Sequence, residues 1–111
     1  MVTIDNLRKF GADVDDGIAR CVNNEGFYLM LVGKLIEDNQ LAELAKKIEE
    51  NDLNSAFLIS HALKGMYGNL SITPIYNELV ELTENLRASR QMDYAPAVNK
   101  LLKMKEELNN L

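Results

Sequence analysis

Apolar residues recur three or four positions apart along nearly the whole chain, and no long alternating pattern interrupts them. This spacing puts apolar side chains on one face of an α-helix, whereas a half-buried strand would alternate every second residue. The pattern therefore predicts an all-α protein whose amphipathic helices each bury one face against their neighbours.

Polar capping residues and prolines predict where the helices begin. Two short N-terminal segments come first, one from Thr3 to Gly11 and one that starts between Asp13 and Asp16. The later helices are expected to start at these signals: Asn23 or Asn24, Asn39, Asp52, Thr73-Pro74 and a region near Asp93. Because the links are only a few residues long, consecutive helices should be antiparallel neighbours. We expect an antiparallel up-down four-helix bundle with extra short N-terminal helical segments.

The longest apolar run lies in the helix that follows Asn23 or Asn24, and it extends only from Phe27 to Val32. We expect Phe27, Leu31 and Leu35 to face inward. They are flanked by Tyr28, Val32 and Ile36. The run is far too short to span a bilayer, and no secretory signal precedes it. The sequence therefore predicts a cytoplasmic protein with no direct membrane insertion.

The chain has 111 residues, 47% of them hydrophobic, and a net charge of −5. This length suits one compact domain and no linker or repeat divides it, so residues 1–111 are expected to form a single domain. The acidic balance argues against nucleic acid as a partner, since that needs a basic face. The single cysteine, Cys21, fits a reducing compartment, and its spacing from Val14 and Ile18 predicts a buried structural thiol.

The candidate chemistry centres on His61, the only histidine of the chain. It lies in the helix predicted after Asp52, with Lys64 three positions on and two glycines, Gly65 and Gly68, four and seven positions on. Residues three and four apart share a helix face, so an ammonium group and bare backbone would lie beside the imidazole.

A helical wheel, at roughly 100° per residue, places His61 away from the apolar side of this helix. The apolar side consists of Leu53, Ala56, Ser60, Leu63, Tyr67 and Leu70. The residues that point away together with His61 are Gly65, Gly68, Asn54 and Leu58. Lys64 lies on the flank, where its ammonium can reach the region of the imidazole.

Two structural interpretations compete with a functional one. His61 could be a plain surface histidine, and the two glycines could allow another helix of the same chain to pack closely. The glycines count against the first interpretation, because a glycine inside a helix costs about 1 kcal/mol relative to alanine. The second interpretation would bury His61 together with Lys64.

This combination of residues suits phosphate chemistry. Neutral imidazole is a good nucleophile near neutral pH, and one ring nitrogen can attack a phosphoryl group. A hydrogen bond to the other nitrogen would hold the tautomer, but the sequence does not identify the acceptor. Lys64 can stabilise the added negative charge. Because phosphoryl transfer depends mainly on positioning and charge neutralisation, such a helix suffices if a partner supplies the rest.

Nothing in the sequence indicates a self-sufficient enzyme. There is no P-loop motif. One histidine and one cysteine make a His/Cys zinc site implausible. The carboxylate pairs Asp15-Asp16 and Glu49-Glu50 are adjacent residues that do not face each other on a helix, which favours a solvated surface.

The run His61-Ala62-Leu63-Lys64-Gly65 resembles the signature of the histidine-containing phosphotransfer (HPt) domains of two-component phosphorelays. The resemblance continues through Gly68-Asn69-Leu70, and the segment around Asp13 to Asp38 resembles the N-terminal part of that family. It implies that His61 accepts phosphate from one aspartyl-phosphate receiver domain and passes it to another. The protein would then be a phosphocarrier rather than a kinase, either free-standing or one module of a hybrid kinase.

The resemblance also implies roles for the neighbours of His61. Lys64 matches the phosphate-stabilising lysine and Gly65 the small residue that lets the receiver dock. Gly68, Asn54 and Leu58 share the exposed side and are candidate docking positions. The receiver supplies the acidic pocket and Mg²⁺, so the resemblance implies no metal and no cofactor on this chain. The implied partners are response-regulator receivers, a hybrid sensor histidine kinase or both, with this protein as a monomer.

Three positions depart from the family pattern. Ser71 stands where the family usually has glycine, and Tyr67 is bulkier than the small residue common at its position. Thr83 falls about where several members place a glutamine near the histidine, so it is a candidate hydrogen-bonding residue close to His61. The alternative to a phosphocarrier is a helical-bundle adaptor that binds receiver or kinase domains without phosphotransfer.

Overall fold

The computed structural model describes residues 2–111, which form seven α-helices and no strand. Met1, included in the expected domain, lies outside the described residues. The helices are α1 (Ile4–Phe10), α2 (Val14–Arg20), α3 (Glu25–Glu37), α4 (Gln40–Glu49), α5 (Leu53–Asn69), α6 (Thr73–Arg87) and α7 (Ala95–Asn109). The all-α prediction is confirmed. Within this range, no helix is both long and apolar enough to cross a membrane.

Side-chain caps fix several of the predicted helix starts. The side chains of Thr3, Asn24 and Asp52 each accept a hydrogen bond from the backbone N–H three residues on, at the starts of α1, α3 and α5. Asn39 makes no such bond at the start of α4, where its ψ of 12° lies outside the extended region that suits a cap. Asp38 instead accepts a hydrogen bond from the backbone N–H of Gln40 at 3.0 Å.

The last four helices pack as a ring of neighbours. α4 contacts α5, α5 contacts α6, α6 contacts α7, and α7 contacts α4. On α5 and α6, Ser60 contacts Thr83 while Phe57 contacts Arg87, so these two helices run antiparallel. The N-terminal helices continue the chain of contacts, because α1 packs on α2, α2 on α3, and α3 on α7.

The buried face of α3 agrees with the prediction at Leu35, but its first two positions lie one residue away from the predicted ones. Tyr28 and Val32 are fully buried, whereas Phe27 is 41% exposed and Leu31 is only partly buried. The hydroxyl of Tyr28 donates a hydrogen bond to the carbonyl oxygen of Leu70 at 2.9 Å, which ties α3 to the end of α5. The prediction that Phe27 faces inward was therefore wrong, because the inward position is taken by a tyrosine that has a buried partner. Leu31 packs against the core but is only partly buried.

Cys21 lies between α2 and α3, where its side chain is buried in the core with Val14. It is a free thiol. The prediction of a buried structural cysteine is confirmed.

Candidate functional site

The two faces of α5 differ, and the candidate site lies on the exposed one. The buried face consists of Leu53, Ala56, Ser60, Leu63 and Tyr67. The opposite face is exposed at Asn54, Leu58, His61 and Gly65. The division predicted from the helical wheel is confirmed at these positions but not at Gly68, which is only partly exposed. His61 lies near the middle of a 17-residue helix.

The imidazole of His61 stacks on the ring of Phe57, one helical turn earlier. The two ring centroids are 5.8 Å apart and the ring planes differ by 25°. The guanidinium carbon of Arg87, on the last turn of α6, lies 5.1 Å from the centroid of the same Phe57 ring. Arg87 is in turn paired with Glu84, with 3.4 Å between Nε and Oε1. The imidazole is thus supported on one side by an aromatic ring that α6 also contacts.

Thr83 does not provide the hydrogen bond to His61 that its position had suggested. Its side chain is fully buried, and its hydroxyl shares a hydrogen bond of 2.7 Å with the hydroxyl of Ser60. Ser60 belongs to the buried face of α5, so this bond joins α5 to α6 inside the core. Thr83 therefore lies against the buried face of α5 and not beside the imidazole of His61.

Lys64 and Gly65 line an open groove of about 400 Å³ between α5, the start of α6 and α2. Lys64 is partly buried and Gly65 is exposed. A Cβ added at Gly65 would meet no atom within 4 Å. Packing within the chain therefore gives no reason for a glycine at this position. Neither this groove nor any other part of residues 2–111 brings together three His, Cys, Asp or Glu side chains that could hold a metal ion.

Gly68 also lines the groove, but its surroundings differ from those of Gly65. A Cβ at Gly68 would lie 2.9 Å from Cε1 of Tyr76 on α6. The missing side chain lets the tyrosine ring pack against the backbone of α5. The interpretation of both glycines as a bare approach path therefore needs correction, because for Gly68 the alternative of close packing within the chain holds.

A polar network joins the α2 side of the groove to the end of α5. Asp16 accepts hydrogen bonds from the hydroxyl of Ser71 and, at 2.8 Å, from Nε of Arg20. The bond from Ser71 is the larger cause, and that from Arg20 the next, of a pKa below the ordinary value for the Asp16 carboxyl. Ser71 has a φ of 54°, a left-handed conformation that favours glycine. Its bond to Asp16 offsets the strain at the position where the resembling family usually has glycine.

Leu58 and Asn54 extend the exposed face of α5 toward its N-terminus. Leu58 is 61% exposed, a large apolar side chain three residues before His61. Asn54 is exposed one turn earlier. A partner that covers His61 from this direction would meet an apolar side chain first and an amide next.

Phe57 and Arg87 are the residues near His61 that the sequence analysis missed. Phe57 could have been found, because it lies four positions before His61 and such residues meet on a helix surface. Arg87 could not, because its position over Phe57 depends on how α6 packs against α5.

A protein-family model described as "Hpt domain" matches residues 37–111. The match covers the last four helices, including all of α5 with His61, and leaves the first three helices almost wholly outside it. Of the segment around Asp13 to Asp38, which was expected to resemble the family, the match includes only residues 37 and 38. No curated protein and no solved structure was found to match the chain.

Proposed function

The chain belongs to the Hpt domain family, whose members carry phosphoryl groups in two-component phosphorelays, and we propose that His61 is its phosphoacceptor. In this proposal His61 takes a phosphoryl group from the aspartyl phosphate of one receiver domain and gives it to an aspartate of another. The observation that carries the proposal is the exposed imidazole in mid-α5, next to an open glycine and a lysine.

The proposed transfer forms one bond and breaks one. A lone pair of an imidazole nitrogen attacks phosphorus, the N–P bond forms, and the P–O bond to the receiver's aspartate breaks. The carboxylate leaves with the electron pair, and the ring keeps the proton on its other nitrogen until solvent takes it. The reverse sequence, with the next receiver's carboxylate as nucleophile, returns the chain to its starting state. No oxidant, reductant or water is consumed.

Lys64 is proposed to stabilise the phosphoryl group as it arrives. It lies three residues after His61 on the flank of α5 and is partly buried. An ammonium group near the transferring oxygens strengthens its hydrogen bonds as negative charge concentrates there. The position of Lys64 supports this role because it borders the same groove as Gly65.

Docking of the receiver is proposed on the exposed face of α5. Gly65 leaves empty space beside His61, and Leu58 offers an apolar contact on the other side. Asn54 would lie at the edge of this surface. Gly68 contributes less in this proposal, because Tyr76 already packs against it. The receiver would supply the acidic pocket and the Mg²⁺ ion, so this chain would bring the nucleophile and one cation.

The proposal also includes the partners, the compartment and the oligomeric state of the protein. The proposed partners are response-regulator receivers, a hybrid sensor histidine kinase or both. The proposed compartment is the cytoplasm, and the protein is proposed to act as a monomer. The net charge of −5 supports a protein partner over nucleic acid.

Phosphate uptake by His61 tests the proposal. Phosphorylated receivers carrying labelled phosphate are mixed with the wild-type chain and with His61→Gln. Wild type should gain acid-labile, alkali-stable label from at least one receiver, as expected of an N–P bond, while the variant should gain none. Binding to a receiver with equal label on both forms, or with no label on either, would instead favour the adaptor alternative.

A further inference from the structure

We propose that Phe57 is a positioning residue for the phosphoacceptor, and that its ring, held by Arg87, sets the orientation of the His61 imidazole during transfer. The inference rests on the proposed phosphocarrier function and adds a residue to it.

The stack gives an exposed side chain a fixed neighbour. His61 is exposed, so in isolation its ring would sample several rotamers. Phe57 is partly buried and packs against the core, and its ring is therefore a stable surface. The centroid separation of 5.8 Å lies in the range in which aromatic pairs attract each other. The imidazole gains a preferred orientation without being buried.

Arg87 holds the other partner of the stack in place. Its guanidinium carbon is 5.1 Å from the centroid of Phe57, within the range of a cation–π interaction. Glu84 is paired with Arg87 one turn earlier on α6. The ring of Phe57 is therefore contacted from α6 as well as from its own helix, and the orientation of His61 depends on both helices.

The hydroxyls of Thr83 and Ser60 bond each other, so the ring of Phe57 orients the His61 imidazole instead. The hydroxyl of Thr83 is engaged with that of Ser60 at 2.7 Å, inside the core. It is not the group that orients the imidazole in this structure. An aromatic face does so instead, which restrains the ring plane while leaving both ring nitrogens free of that contact.

The proposal predicts that losing the stack affects phosphoryl transfer from a receiver but not from a small donor. A receiver presents its aspartyl phosphate in one fixed direction, so the imidazole must already point along it. A small donor such as phosphoramidate can approach the ring from many directions. Loss of the stack should therefore slow transfer from a receiver and leave the reaction with phosphoramidate nearly unchanged.

Proton NMR tests the stack without any partner. Because His61 is the only histidine, its two ring C–H resonances are identified without ambiguity. In wild type they should be shifted by the ring current of Phe57. In Phe57→Leu they should move toward the positions of a free histidine, and in Phe57→Tyr they should stay near wild type. Identical shifts in wild type and Phe57→Leu would overturn the proposal.

Kinetics test the consequence of the stack. Phe57→Leu should lower the maximal rate of transfer from a receiver by about three- to tenfold, the range expected for losing one aromatic pair. The receiver concentration at half-maximal rate should stay the same, and Phe57→Tyr should restore the rate. Arg87→Gln should slow transfer about twofold, the low end for an exposed cation–π contact. Arg90→Gln, at the exposed arginine three residues on, is the matched control and should not change it.

Four outcomes would overturn the proposal. The first three leave the phosphocarrier function standing, and the fourth rejects both. A higher half-maximal receiver concentration with an unchanged maximal rate would make Phe57 a docking residue. An equal slowing by Phe57→Leu and Phe57→Tyr would show that the aromatic ring is not what matters. Wild-type transfer with no effect of Phe57→Leu would reject this inference alone. A wild type that accepts phosphate from no receiver would reject the proposed function and this inference together.

Discussion

Gly65 and Gly68 lie three residues apart on one helix, yet their surroundings differ. A Cβ at Gly65 would meet no atom within 4 Å, whereas a Cβ at Gly68 would lie 2.9 Å from Cε1 of Tyr76. Gly68 lets α6 pack closely on α5, while Gly65 weakens the helix without allowing any close contact inside the chain. A glycine near a reactive side chain therefore indicates a docking surface only where the space that it leaves is empty.

Among changes to the neighbours of His61, filling the empty space beside Gly65 should slow phosphoryl transfer the most. Gly65→Gln places a long side chain where the receiver is proposed to dock, and overpacking of this kind costs about 1–3 kcal/mol. Transfer from a receiver should slow by about ten- to hundredfold, while the melting temperature stays the same or rises, because glutamine favours a helix more than glycine does. Initial transfer rates and a thermal melt measure the two effects.

The control for this prediction is Gly65→Ala, which adds one methyl group at the same position. It should raise the free energy of unfolding by about 0.5–1 kcal/mol and slow transfer much less than glutamine does. Wild-type transfer rates in Gly65→Gln would show that the space beside Gly65 is not used by the partner.

Removing the ammonium group of Lys64, next to Gly65, should have the next largest effect on the rate of transfer. Lys64→Ala should slow transfer about tenfold, since a hydrogen bond to a charged group contributes about 1.5–3 kcal/mol and solvent weakens it at a partly exposed site. The loss should be smaller than that of His61→Gln. An unchanged rate would mean that Lys64 is only a solvated residue on the flank of the helix.

Gly68→Ala should affect stability rather than transfer. The added methyl group must displace the ring of Tyr76, so the free energy of unfolding should fall by about 1 kcal/mol even though alanine is the better helix former. Transfer by the folded protein should stay within about twofold of wild type, a smaller change than overpacking of the docking surface would give. Urea unfolding and initial rates measure both.

The Tyr76→Ala background provides the sharper form of this test. With the ring gone, Gly68→Ala should become stabilising, as Gly65→Ala is in the wild-type chain. A double-mutant cycle measures the coupling between the two positions. No coupling would mean that the tyrosine does not explain Gly68.

The smallest expected effect is on stability, and it concerns the hydrogen bonds of Asp16 that join α2 to the end of α5. Because folding lowers the pKa of the Asp16 carboxyl, its contribution to stability is present above the ordinary value of 3.8 and is lost as pH falls through the lower, folded value. Asp16→Asn should lower the urea midpoint at pH 7, and the gap from wild type should narrow at pH 3. The control is Glu107→Gln at an exposed position of α7, and an equal gap at both pH values would contradict the prediction.

Much of the fold could be predicted because local signals set it. The caps at Thr3, Asn24 and Asp52 and the spacing of apolar residues on α5 depend on neighbours within one turn or two. The first two buried positions of α3 could not be chosen correctly, because the run from Phe27 to Val32 is apolar at every position and its periodicity is therefore ambiguous. Tyr28 faces inward because of distant partners: its hydroxyl bonds the carbonyl oxygen of Leu70, and its ring packs where Gly17 has no side chain.

In the candidate site, too, some features follow from the local sequence and others depend on contacts between helices. The exposure of His61, the flank position of Lys64 and the openness of Gly65 follow from the helical wheel or agree with it. The packing of Tyr76 on Gly68 and the position of Arg87 over Phe57 arise where α6 meets α5, and a single helix carries no information about that contact.

A relay with two receivers in one tube tests the central claim most directly. Label is placed on the aspartate of the first receiver, and its arrival on the second is followed with wild type, with His61→Gln and without the chain. Label should reach the second receiver with wild type and should stay on the first in the other two cases. Arrival at the same rate with His61→Gln, or no arrival with wild type from a receiver pair that each exchange label with it, would contradict the carrier role of His61.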